Sequence, residues 1–99
     1  MWYIVLARDN PDTLAQRLAA RPAHLARLQE LLAQGRLKLA GPMPAIDNEN
    51  PGEAGFSGSL LVVEFPSLDA ARVWADADPY IAAGVYRSVE ILPFKPVLP

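Results

Sequence analysis

From Trp2 to Ala7 every residue is apolar, so both alternating sets, Trp2, Ile4, Leu6 and Tyr3, Val5, Ala7, would seek burial in a β-strand. The stretch meets Arg8-Asp9 after seven residues and has no basic segment before it, which makes it too short for a membrane span and unlike a signal peptide. It is predicted as a strand over residues 2–8. The later run Leu60-Leu61-Val62-Val63 has the same character. Any fold that accommodates these two strands must cover both faces of a sheet.

The remaining elements follow from caps, breaks and periodicity. Asn10 is expected to cap a short helix with Pro11 at its first position, running to about Ala20. Pro22 is expected to stop that helix and open a second, in which Leu25, Leu28, Leu31 and Leu32 form an apolar face, ending near Gln34 before Gly35. Arg36 to Ala40 alternates charged and apolar residues as a strand closed by Gly41-Pro42. Met43 to Gly58 has no apolar period and reads as a long loop, mobile or closing over a pocket. Strand three is Ser57 to Phe65, Ser67 caps a helix ending near Ala77, and Asp78-Pro79 starts one more turn through Ala83. Val85 to Phe94 is the fourth strand.

This order, βαββαβ with right-handed crossovers, implies an α+β ferredoxin-like sandwich, a four-stranded antiparallel sheet with helices on one face. Helices would then cover only one of the two apolar sheet faces. A second copy of the chain is the simplest cover for the other, so a homodimer through the sheet face is expected. A single domain of 99 residues suffices for such a core.

Composition narrows the function. With 9 Lys+Arg against 11 Asp+Glu, the chain lacks the basic footprint of a nucleic-acid binder. The absence of cysteine removes thiolate nucleophiles, Fe–S clusters and Cys-based zinc sites, and favours a cytoplasmic setting. No glycine spacing matches a phosphate cradle, so no nucleotide cofactor is expected, and one histidine with scattered carboxylates makes no dedicated metal site. Asp47 to Asn50 reads as a solvated loop without the spacing of a calcium site. Ser57, Ser59 and Ser67 carry no nucleophile signature.

The lone histidine, His24, falls on the flank of the apolar helix face and could be a boundary side chain or a general base. Arg21 and Arg27 beside it could attract an anion or form a solvated flank. Asp78 has the position of an N-cap, and a carboxylate held there can also orient an imidazole. Tyr80 and Tyr86 suit either packing or proton donation.

The segments Arg21-Pro22-Ala23-His24, Gly41-Pro42-Met43-Pro44, Gly55-Phe56-Ser57-Gly58-Ser59 and Ala75-Asp76-Ala77-Asp78-Pro79-Tyr80, in this order, resemble the YCII-related (YciI-like) family across nearly the whole chain. The resemblance implies a ferredoxin-like homodimer with a pocket in which His24 and Asp78 form a catalytic pair. Arg21, Tyr80, Gly41 and Pro42 are the expected substrate-binding residues. The family includes a dehydrochlorinase acting on a chlorinated hydroxyquinol. An imidazole oriented by a carboxylate, without nucleophile, metal or cofactor, suits proton abstraction with elimination or isomerisation of a small anionic or phenolic molecule. The alternative is a non-catalytic dimeric binder or accessory protein.

Overall fold

The computed structural model describes residues 1–99. Its elements are β1 (Trp2–Asp9), α1 (Leu14–Ala33), β2 (Leu37–Pro44), a single 3-10 turn (Gly52–Ala54), β3 (Phe56–Glu64), α2 (Leu68–Asp76), α3 (Pro79–Ala82) and β4 (Tyr86–Phe94). All strands pair antiparallel in the order β2-β3-β1-β4, the ferredoxin-like arrangement expected.

β1 and β3 are central, as their two-sided apolar character requires. Register pairs Tyr3 with Val63, Val5 with Leu61 and Ala7 with Ser59, and these side chains are buried on the helix-covered face. Leu28 and Leu31 of α1 and Ala71 and Ala75 of α2 close this core. Trp2, Ile4, Leu6 and Leu60 point to the other face, joined in register by Leu92 and Phe94 of β4, and no helix covers them.

Several expectations are corrected. Pro22 does not divide the first helical region, because α1 runs unbroken through it. An interior proline loses one backbone hydrogen bond and crowds the preceding turn, at about 3 kcal/mol. Here it sits on the exposed side, while the buried stripe Arg17, His24, Leu28 and Leu31 continues past it and holds both halves. Leu32, expected on the apolar face, is exposed.

The helix start also differs. Pro11-Asp12 forms a turn with Asp12 at φ 59°, Thr13 occupies the N-cap, and the helix begins at Leu14. Asn10 caps nothing on α1. Its side chain donates to the Gly84 carbonyl at 2.9 Å and its backbone N–H to Val85 at 2.7 Å, which ties the β1–α1 turn to the end of α3.

Finally, Gly41-Pro42 does not close β2, which continues to Pro44 with Gly41 facing Leu60 and Pro42 facing Ser59. β2 is an edge strand, so a proline with no N–H to donate is tolerated there. The loop shrinks accordingly. It packs Gly55 against Leu14 and sits beside the β1–α1 turn rather than over His24.

Candidate active site

Because α1 is continuous, His24 lies in the middle of a helix and not at a helix start. It shares one stripe with Arg17 and Arg21, spaced so that all three face the same side. The ring is buried, not a boundary group. Asp78 begins α3 on the far side of the same layer, where its Oδ1 accepts the Tyr80 backbone N–H at 2.9 Å as an N-cap.

These two residues, 54 apart in sequence, meet. His24 Nδ1 stands 2.8 Å from one Asp78 oxygen and 3.0 Å from the other, both side chains being nearly sealed from solvent. Asp78 therefore fills both roles that the sequence allowed it. The carboxylate accepts only, so it selects the imidazole tautomer protonated at Nδ1 and leaves Nε2 as the free lone pair. Nε2 makes no hydrogen bond within the protein and is not sealed off. His24 lines a cavity of about 360 Å³, together with Arg21, Gly41, Pro42 and Tyr80. The pocket thus gathers every residue expected to bind substrate, with Asp78 behind the histidine. Arg27 is elsewhere, bonded to the Trp74 carbonyl at 2.7 Å with its guanidinium over the Trp74 ring.

Tyr80 holds the imidazole from a second direction. Its ring stacks on His24 with centroids 4.1 Å apart and planes 18° apart, and Tyr86 meets it edge-on at 5.3 Å. Burial, the largest influence, pushes the Tyr80 hydroxyl pKa up, and the positive Arg17 partly offsets that, so the phenol keeps its proton at neutral pH.

The cavity also contains residues not expected from the sequence: Arg17, Ser59 and Phe56. Arg17 is gripped by Asp9 through Nε at 2.8 Å and Nη2 at 2.9 Å, and Nη2 donates to Ser59 Oγ at 3.0 Å. Burial alone would lower the Arg17 pKa, but the Asp9 hydrogen bond and charge outweigh it and raise the value, so the guanidinium is a permanent cation. The available signal was helical spacing, since Arg17 precedes Arg21 and His24 by one and two turns. Ser59 was legible through its parity with Leu61 and Val63 and its place in the Gly55–Ser59 segment. No three of His, Asp and Glu converge on a metal-binding geometry. A second, polar cavity of about 470 Å³ between Arg8, Asp12, Glu53 and Arg87 does not include His24.

Behind Tyr80, the Tyr86 hydroxyl is sealed from solvent without a hydrogen bond. Burial pushes its pKa well above the ordinary 10.0, despite an opposing influence from nearby Ser59. The folded protein then binds a proton that the unfolded chain releases above pH 10, so stability from this group is full below pH 10 and lost as pH rises beyond it. Tyr86→Phe removes both the unsatisfied hydroxyl and this linkage. It should leave stability at pH 7 unchanged or higher by about 1 kcal/mol and flatten the alkaline loss, as urea unfolding at pH 7 and pH 11 would show.

Comparison with known proteins agrees with this architecture. The YCII-related domain matches residues 1–95. Protein YciI of Escherichia coli O6:H1 (strain CFT073) is 60% identical over 97 residues, covering 98% of this chain and 99% of that one. An uncharacterized protein of Haemophilus influenzae (strain Rd) is 56% identical over 97 residues, with the same coverage of 98% and 99%. Among solved structures, 5-chloro-2-hydroxyhydroquinone dehydrochlorinase (TftG) from Burkholderia phenoliruptrix AC1100, in complex with 2,5-dihydroxybenzoquinone, superposes with a TM-score of 0.84 at 25% identity, covering 96% of this chain and 94% of that one. A domain match over nearly the whole length, relatives at 60% identity and a shared ferredoxin-like fold lead to one assignment: the chain belongs to the YCII-related family.

Proposed function

We propose that this protein is a small-molecule lyase or isomerase in which His24, oriented by Asp78, removes a proton from an anionic or phenolic ring compound as the first step of elimination or isomerisation. The carrying observation is the buried 2.8 Å contact between His24 Nδ1 and Asp78, with Nε2 left free at a cavity sized for a single ring. Nε2 takes a ring hydroxyl proton and delivers it to the carbon bearing the leaving group as that hydroxyl becomes a carbonyl; loss of a second hydroxyl proton then drives the electron pair through the ring double bonds, and the leaving group departs with its bonding pair. Likeness to a dehydrochlorinase supports this class of reaction.

The test is chloride release from chlorinated hydroxyquinols by the wild type and by His24→Gln. Release that depends on His24 supports the reading. A wild type that binds such compounds without turning them over favours instead a binding or accessory role.

The functional unit is proposed to be a homodimer closed through the outer sheet face. Trp2, Ile4, Leu6, Leu60, Leu92 and Phe94 form one contiguous apolar surface there, the kind of patch that marks an interface. Light scattering should return twice the 10.8 kDa chain mass, and Leu60→Glu should shift the protein to monomer. A wild type that remains monomeric at micromolar concentration overturns the dimer.

A further inference from the structure

We propose that Arg27 is a positioning residue for the His24–Asp78 pair. From one turn further along α1 it holds the end of α2, and so sets the height at which the Asp78 carboxylate meets His24 Nδ1. The inference rests on the proposed reaction and extends it to a residue outside the cavity.

α1 reaches the α2–α3 junction through two directional contacts. His24 Nδ1 binds the Asp78 carboxylate at 2.8 Å, and Arg27 Nη2 donates to the Trp74 carbonyl at 2.7 Å. Only residues 75–77 separate these anchor points, and the backbone closes tightly across them. The Ala77 N–H donates to the same Trp74 carbonyl at 3.3 Å, and the Asp78 N–H to the Ala75 carbonyl at 3.1 Å. The Asp78 backbone is therefore tied by short hydrogen bonds to the turn that Arg27 grips. The guanidinium also lies over the Trp74 ring, 4.6 Å from its centroid, so it is held at both the carbonyl and the side chain of one residue. α2 has no basic residue in its last turn, and Arg27 supplies from α1 the positive charge that a helix C-terminus favours.

Stability alone gives a poor account of this arginine. Its Nη1 is sealed from solvent without an acceptor, and the side chain forms no ion pair. A sealed, empty donor opposes folding, so an apolar side chain would fill the same gap at lower cost. What an apolar side chain lacks is direction. Leu28 and Leu31 of α1 share a core with Ala71 and Ala75 of α2, and such non-directional contacts are less sensitive to a small slide of one helix along the other. A charge-assisted hydrogen bond to one carbonyl fixes that slide. The His24–Asp78 contact needs the register, because a carboxylate moved out of line with Nδ1 no longer favours the tautomer that leaves Nε2 free.

The decisive test needs no substrate. Nitrogen-15 NMR of the untagged, histidine-labelled protein reads the imidazole tautomer directly, since His24 is the chain's single histidine. Wild type, Arg27→Met, Arg27→Gln and the core control Leu31→Val are compared, each with the ring neutral. In wild type the Nδ1-protonated form should dominate. Arg27→Met should bring the two tautomers to comparable populations. Arg27→Gln, whose amide ends short of the Trp74 carbonyl, should do the same and carries the criterion if the methionine variant does not fold. Leu31→Val, though less stable, should keep the wild-type ratio. With a chlorinated hydroxyquinol as substrate, kcat should fall about 10- to 100-fold in the Arg27 variants with KM little changed. Full retention of the Nδ1-protonated form in a folded Arg27→Met or Arg27→Gln protein overturns the inference. An equal shift in Leu31→Val also overturns it, since that pattern reports general loosening. An unchanged kcat in a variant whose tautomer ratio has shifted defeats the proposed reaction and leaves the positioning of the pair standing. A wild type protonated mainly at Nε2 overturns both.

Discussion

His24→Gln should reduce turnover by about 10²–10⁴-fold, the usual contribution of a positioned general base, while the protein stays folded. Glutamine can still direct an amide N–H toward the Asp78 carboxylate, so the buried charge keeps a donor. Alanine is the poorer test: it would leave that carboxylate with the Tyr80 N–H as its remaining partner and remove the ring stacked on Tyr80. Asp78→Asn separates cap from catalysis. Its side-chain oxygen can still accept from the Tyr80 N–H, so helix α3 should persist with little stability loss. Its amide, however, now presents a donor to His24 Nδ1, which favours the tautomer protonated at Nε2 and removes the lone pair from the cavity. Activity should fall nearly as far as in His24→Gln, with the thermal midpoint close to wild type. If Asp78→Asn retained full activity, Asp78 would be a cap and nothing more.

Gly58→Ala should produce the largest loss of stability of any single methyl addition in the chain, about 3 kcal/mol or more. A Cβ at residue 58 would fall on the Ala7 carbonyl oxygen, with the Met43 methyl group 2.7 Å away on the other side. Met43 could rotate aside. The Ala7 carbonyl cannot, because β1 is held by β3 on one edge and β4 on the other. Gly41→Ala on neighbouring β2 is the control, since a Cβ there meets nothing within 4 Å and its backbone needs no left-handed conformation. Urea denaturation of the two variants should give a much lower midpoint for Gly58→Ala and little change for Gly41→Ala. Similar midpoints would mean that the sheet yields more easily than its central position implies.

Much of this protein was legible from local pattern. The apolar parity of β1 and β3 announced strands with two apolar faces, and Ser67 and Asp78 announced helix starts that their side chains do cap. These signals survive because each depends on a few neighbouring residues whose geometry is decided locally. Pro22 and Pro42 were misread for the opposite reason. A proline imposes a definite local cost, and whether the chain stops there depends on what the flanking residues gain elsewhere: for Pro22 a buried stripe on both sides, for Pro42 a place on a sheet edge.

The same division runs through the site. His24 and Asp78 could be singled out from residue type, position and family resemblance, but their 2.8 Å contact joins positions 54 residues apart and exists only once α1 and α3 pack on one sheet. Arg17, Asp9 and Ser59 left still less trace, because an arginine on a helix and a serine in a strand look like surface residues until the fold buries them together. Sequence alone determined the strands, most caps and the βαββαβ order, all set by short-range sterics and apolar periodicity. Only the tertiary structure decided which polar groups share a cavity, because burial and charge pairing are properties of elements brought together from distant parts of the chain.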